Sequence, residues 1–266
     1  MVREWIGDGP AFEVAWGGQR WSLFLGDERP GLRVAGNQPG PLLALEGLAS
    51  AGRFDPAALT GMTLVGSERR FERVEATYAP PGWGGLVVRA AWSPSGDDGM
   101  DLEVQVQASS LGELKAVEVK LVSQFADPAP TPQTSPRLAS RWVEPRDARS
   151  AALSYDGREP DLRGLTTLPP REAAFHSPRL VPGPAGDGWL YAEMVHPDDV
   201  TRRIREGGRT MAQAHTTHYG LFGHDLEKGV VLRARLRALW LRSEDAKEAA
   251  LDQFEQFLQA EPPLTT

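Results

Sequence analysis

Residues 68–125 read ERRFERVEATYAPPGWGGLVVRAAWSPSGDDGMDLEVQVQASSLGELKAVEVKLVSQF, and this stretch decides the fold class. It holds four consecutive alternating runs, each closed by a turn signal. In Phe71–Tyr78, Val74, Ala76 and Tyr78 share one side, and Arg73, Glu75 and Thr77 the other. In Leu102–Ala108 the split is Leu102, Val104, Val106, Ala108 against Glu103, Gln105, Gln107. Side chains alternate across a strand, so a period of two means one buried face and one polar face. Leu86–Trp92 is apolar apart from Arg89, which predicts a central strand, and Val117–Val122 carries Glu118 and Lys120 on one side. The connections Pro80-Pro81-Gly82 and Ser93–Gly99 are short and rich in Gly, Pro and Asp, residues that supply the backbone angles of tight turns. They are too short for a crossover helix, so the pairing is expected to be antiparallel.

Working outward, residues 12–25 read as a hairpin around Gly17-Gly18-Gln19. Leu32–Ala35 and Leu42–Glu46 are further strand candidates, and Phe54–Leu59 reads as one helical turn with Asp55 as its cap and Pro56 first. Residues 127–188 contain half of the 22 prolines and little apolar periodicity. They are expected to form ordered loops anchored by Trp142, Tyr155, Phe175 and Trp189, with strand hints only at 138–144 and 149–155. Strands resume at Trp189–Val195, Met211–Phe222 and Gly229–Arg242, and the segment from His196-Pro197-Asp198-Asp199 through Arg205 reads as a short helix. The last strand puts Val230, Leu232, Ala234, Leu236, Ala238 and Trp240 on one side and Arg233, Arg235 and Arg237 on the other. Residues 243–260 predict a terminal helix, capped by Ser243 and stopped by Pro262, with Ala250, Leu251, Phe254, Phe257 and Leu258 as its apolar stripe. The whole, residues 1–266, reads as a single all-β domain: a large antiparallel β-sandwich with a short C-terminal α-helix.

Composition narrows the function classes. A formal net charge of −7 argues against general affinity for nucleic acid or for anionic surfaces. With no Cys there are no disulfides, thiolate metal sites or cysteine nucleophiles. The opening MVREWIGDGP lacks the apolar core of a signal peptide, and no run of about 18 apolar residues occurs, so the chain is expected to be soluble and cytoplasmic. No phosphate loop, nucleophile elbow or zinc helix is present, and neither a cofactor nor a metal is predicted.

The strand rhythm of 68–125, together with 219–242 (YGLFGHDLEKGVVLRARLRALWLR), resembles the galactose-mutarotase-like supersandwich. That resemblance covers most of the chain, and it implies sugar binding on a concave sheet face. Aldose mutarotases carry a catalytic His in an Asn-His-x-Tyr-type segment and a late glutamate base. Here His218-Tyr219 follows Thr216-Thr217, and Glu227 lies in a turn-like Asp-Leu-Glu-Lys-Gly.

Three of the five histidines, His215, His218 and His224, fall within ten residues. Histidine titrates near neutral pH, so His215 and His218, with Glu193 as a carboxylate partner, are candidates for acid–base chemistry on a sugar or an acidic saccharide. Positions three apart on a strand face opposite ways, so joint metal ligation by 215 and 218 would need a bulge. Asp225 and Glu227 are weaker partners, since Glu227 fits a hairpin turn. Arg233, Arg235 and Arg237 project together at about 7 Å intervals and require acid opposite them. That acid is either a ladder of neighbours such as Glu103 and Glu118, or an anionic ligand gripped by the guanidinium forks. Trp83 and Trp142 are candidate stacking platforms for a sugar, with His196 beside them as a ligand contact, whereas Trp16, Trp21, Trp92 and Trp240 fit core positions. The expected partner is a small-molecule or oligosaccharide ligand, either processed or merely bound, and a purely structural β-sandwich is the remaining alternative.

Overall fold

The computed structural model describes residues 4–16, 19–34, 40–96, 99–109, 113–125, 175–182, 188–206, 215–242 and 246–260. Every strand pair in it is antiparallel, as the short turns predicted. The strands are β1 (Ile6–Asp8), β2 (Ala11–Trp16), β3 (Gln19–Phe24), β4 (Gly31–Val34), β5 (Ala44–Ser50), β6 (Arg53–Asp55), β7 (Leu64–Arg70) and β8 (Arg73–Tyr78). They continue as β9 (Leu86–Ser95), β10 (Gly99–Ala108), β11 (Glu113–Phe125), β12 (Phe175–Pro182), β13 (Gly188–Val195), β14 (Val200–Glu206), β15 (His215–Glu227) and β16 (Val231–Arg242), and helix α1 (Ala246–Gln259) follows.

Seven strands, ordered β12-β13-β16-β10-β9-β8-β7, form one layer. Facing it are a five-stranded sheet, β14-β15-β11-β5-β6, and a four-stranded sheet, β1-β2-β3-β4. Leu32 and Leu42 exchange backbone hydrogen bonds of 2.9 and 2.8 Å between these two, joining them side by side. The apolar sides named from sequence meet in one core: Val74, Ala76 and Tyr78 of β8, Leu102, Val104 and Val106 of β10, and Val117, Val119 and Leu121 of β11. Trp21 packs edge-on against Trp240 at 4.3 Å, which seats the four-stranded sheet on the seven-stranded one.

Four expectations need correction. The fourth run of the opening stretch, β11, leaves its neighbours and pairs with β15 and β5 in the opposite layer. Its alternation is the same in either layer, because both bury one side, so periodicity alone does not place it. Residues 200–206 are strand β14, not a helix, held antiparallel to β15. Phe54–Leu59 holds strand β6 and then a turn in which Asp55 Oδ1 accepts the Ala57 N–H at 3.1 Å, the Asx geometry competing with a helix cap. Residues 175–182 form strand β12 at the sheet edge, inside the region expected to be loops. The strand hints at 138–144 and 149–155, the anchors Trp142 and Tyr155 and the Ser243 cap lie outside the described residues.

Helix α1 docks by Ala250 and Phe257 on Ala192, Met194, Leu239 and Leu241, on the outer side of β13 and β16. Leu251, at 40 % exposed, lies off that contact. Along β16 the outward positions read Arg233, Arg235, Arg237, Leu239, Leu241, so the strand itself records where the helix begins. Beyond that point, among the described residues, no helix covers the outer face of the seven-stranded sheet.

Candidate functional site

A groove of about 980 Å³ lies on that open face. Its floor is the polar side of β8, β9, β10 and β16, whose registers set side chains in rows. Thr77, Arg89, Gln105 and Arg233 form one row, and Glu75, Ala91, Glu103 and Arg235 the next. A third row, Ser93, Asp101, Arg237 and Met194, lies next to these, outside the groove's lining. The C-terminal end of α1, from Phe257 to Ala260, walls the groove on the β16 side, together with the turn His196–Asp199.

Several charges in and beside the groove are matched. Arg237 holds Asp101 with two parallel bonds of 2.7 and 2.9 Å, the bidentate fork that fixes both side chains. Glu103 stands opposite Arg235 in register, but its carboxylate is bonded by Arg73 at 2.6 Å, and Arg73 also lies 3.5 Å from Glu75. Arg70 pairs with Glu68 at 2.8 Å, fully in solvent. Arg235 instead stacks its guanidinium 4.5 Å over the Phe257 ring and lies 3.5 Å from the Phe257 carbonyl. Burial pushes the Arg235 guanidinium below its ordinary range, against the pull of Asp101, Glu103 and Asp199. Neither acid named from sequence bonds the arginine row: Glu103 is held by Arg73, and Glu118 sits in the other layer bonded to Arg202 at 2.7 Å and to Lys120, while Asp101, which was not named, serves Arg237.

The turn after β13 brings a histidine and carboxylates to the groove. Asp199 donates its N–H to the His196 carbonyl at 3.0 Å, and its own carbonyl accepts the Phe222 N–H at 2.8 Å, so the turn is tied to both layers. His196 Nδ1 accepts the Asp198 N–H at 3.3 Å. In the neutral ring that leaves the proton on Nε2. Burial raises the Asp199 carboxyl to about 6, partly offset by His196 and by the Arg235 backbone N–H.

The candidates for catalysis do not come together. Glu193 lies on the inner side of β13, fully buried, where it accepts hydrogen bonds from Ser123, from Tyr191 at 2.6 Å and from Tyr219 at 2.8 Å. Burial raises its carboxyl and these hydroxyls pull it back down. It fastens β13 to β11 and β15 across the core, where no ligand reaches. His218 faces the other way along β15 and meets Glu46 at 2.8 Å on the outer side of the five-stranded sheet. Glu46 reaches it because β5 bulges: Lys120 pairs with Gly47 and Leu121 with Leu45, so Glu46 is the extra residue. Gly47 there has φ +150°, and a Cβ on it would meet the Asp55 carbonyl oxygen at 2.4 Å. The β15 register is unbroken from His215 to Phe222, so no bulge brings positions 215 and 218 to one side. The His215 side chain and Trp142 lie outside what is described.

Trp83 is buried, 5 % exposed, and donates its indole N–H to Asp55 at 3.0 Å, so its ring packs in the core rather than offering a sugar platform. His224 and Glu227 are exposed near the β15–β16 turn, where Val230 donates to the Glu227 carbonyl at 3.1 Å. Asp225 accepts the Ala116 N–H at 2.8 Å, filling the bulge in β11. Among the described residues no group of three or more His, Asp or Glu side chains is placed to hold a metal, and no helix is long and apolar enough to cross a membrane. Of the named ligand contacts, Arg233, Arg235 and His196 line the groove. Arg73, Glu75, Arg89, Asp199 and Phe257 join them there without having been singled out for a site.

No family model matches the sequence, and no curated protein matches it. Among solved structures, two of a heparinase III gene product, one with methylated lysines, align with TM-score 0.44 at 9 % identity, over 90 and 91 % of this chain. A crystal structure of heparinase III aligns with TM-score 0.31 at 11 % identity over 76 % of this chain. The chain spans 36 % of the length of the first two and 24 % of the third.

Proposed function

We propose that this is a carbohydrate-binding protein whose ligand lies along the groove on the outer face of the seven-stranded sheet. The observation that carries the reading is that one cleft gathers guanidinium groups, carboxylates and a histidine on a floor of four strands. Sugars present hydroxyls that such a polar, multidentate surface satisfies. The turn at His196–Asp199 supplies the proton-transfer capacity expected of an enzyme on saccharides: a carboxyl raised to about 6 beside an imidazole. A non-catalytic binding protein is the second reading. It is favoured by the tie on His196, whose Nδ1 is taken by the Asp198 N–H.

A thermal-shift screen with neutral monosaccharides, uronic acids and sugar phosphates tests the proposal, because a ligand of the native state raises the melting temperature by mass action. A shift with at least one saccharide class is the expected result. No shift with any saccharide would overturn it.

A further inference from the structure

Among the described residues, the formal charges that line the groove sum to zero. Five are guanidiniums, from Arg70, Arg73, Arg89, Arg233 and Arg235. Five are carboxylates, from Glu68, Glu75, Glu103, Asp198 and Asp199. The two signs are interleaved rather than segregated. Arg70 holds Glu68 at 2.8 Å, and Arg73 stands between Glu103 at 2.6 Å and Glu75 at 3.5 Å. Asp198 and Asp199 share the lining with Arg235, and Asp199 attracts its guanidinium. Beside the groove, Asp101 and Arg237 cancel each other in the same way. A cleft lined by one sign of charge concentrates ligands of the other sign, and a cleft of mixed sign does not. An anionic ligand laid along this floor meets carboxylates as well as guanidiniums, and like charges brought together across an interface are costly. A hydroxyl fares better, because it carries one donor and two acceptor lone pairs. It can donate to a carboxylate and accept from a guanidinium, and an interleaved lining supplies both. Phe257 lines the groove but is 2 % exposed, with its ring beneath Arg235 and Arg237, so recognition falls to hydrogen bonds rather than to ring stacking.

We infer that the groove takes a neutral, hydroxyl-rich saccharide and discriminates against uronic-acid and sulfated sugars. The inference rests on the groove being the ligand site, and it sharpens that reading to a class of ligand. The carboxylates are the discriminating residues. They occupy the guanidiniums that an acidic sugar would need, and they repel its charge.

The test is isothermal titration of the full chain with three oligosaccharides of matched length, neutral, uronic-acid and sulfated, at low and at high salt. The expected result is tightest binding of the neutral oligosaccharide, with an affinity that salt leaves unchanged. Glu75→Gln and Asp198→Asn each take one negative charge from the lining. Arg73 keeps Glu103 in the first, and the Asp198 side chain is 89 % exposed, so both variants are expected to fold. At low salt each should raise the affinity for the acidic oligosaccharides relative to the neutral one by roughly three- to tenfold. A loss of structure alone does not produce that change of preference. Equal or tighter binding of an acidic oligosaccharide by the wild type overturns the inference while leaving a saccharide groove in place. So does a preference for the neutral oligosaccharide that neither variant alters. Absence of binding by all three overturns both.

Discussion

Both layers of the sandwich carry charge on their outer sides, and they carry it differently. On the five-stranded sheet the charges are sequestered: Glu46 is 3 % exposed, His218 12 %, Glu118 14 % and Arg202 19 %. On the seven-stranded sheet the pair Asp101–Arg237 is sequestered too, 9 and 15 % exposed, but others line a groove, with Arg73 31 % exposed and Glu75 35 %. A sequestered pair must be matched internally, because nothing else compensates for lost hydration. An open row need not be, since water serves it until a ligand displaces that water. The comparison separates polar residues that hold the fold from polar residues available to a ligand, a distinction invisible in residue type.

The strongest way to break the comparison is on the sequestered side. His218→Ala leaves the buried Glu46 with Arg29 at 3.5 Å as its ion-pair partner among the described residues, and should cost about 3–5 kcal/mol of unfolding free energy in urea denaturation. Phe257→Ala comes next: it empties the contact between α1 and β16 and removes the ring under Arg235, for a loss of about 3 kcal/mol. It should also weaken saccharide binding, which the loss of His218 does not do directly. Asp101→Ala strips Arg237 of its bidentate partner at the helix-covered end of the groove, and about 2 kcal/mol is expected in the same assay. Arg89→Ala should change stability by less than about 0.5 kcal/mol, because nothing in the fold leans on it. If Arg89→Ala proved as damaging as His218→Ala, the division between holding and binding residues would fail.

How much of this was legible in the sequence follows from where alternation is informative. The inner sides of β8, β9, β10 and β16 could be read residue by residue, because burial enforces a strict period of two. The polar sides were equally visible, and Arg73, Glu75, Thr77 and Arg89 stood out along their runs. That they share one groove floor depends on strand order, which puts β16 between β10 and β13 although over a hundred positions separate β10 from β16. Leu239 and Leu241, continuing the arginine side of β16, were the missed sign that a helix covers half of that face. Glu193 was correctly placed on its strand beside His196, but strand parity sends it into the core. His218 and Glu46 are 172 residues apart, and their pairing depends on a bulge that no local pattern announces.

A further expected effect concerns pH. The folded Asp199 carboxyl is raised to about 6 from an unfolded value of 3.8, so the native state holds this proton more tightly than the unfolded chain. Stability contributed by the protonated form is present below the unfolded value and declines as pH rises toward 6. Asp199→Asn should flatten the stability profile between those limits, most visibly as a gain relative to wild type above pH 6. A profile with unchanged slope would show that Asp199 is as well solvated as an ordinary surface acid.

The central claim, that the open face of the seven-stranded sheet is the ligand site, is tested most directly by hydrogen exchange. The protein is compared free and saturated with the saccharide that gives the largest thermal shift, and amide protection is read by mass spectrometry. The account predicts added protection in peptides covering β9, β10, the first half of β16, the 196–199 turn and the end of α1. Protection gathered instead around Glu46, His218 and Arg202 on the five-stranded sheet would contradict it.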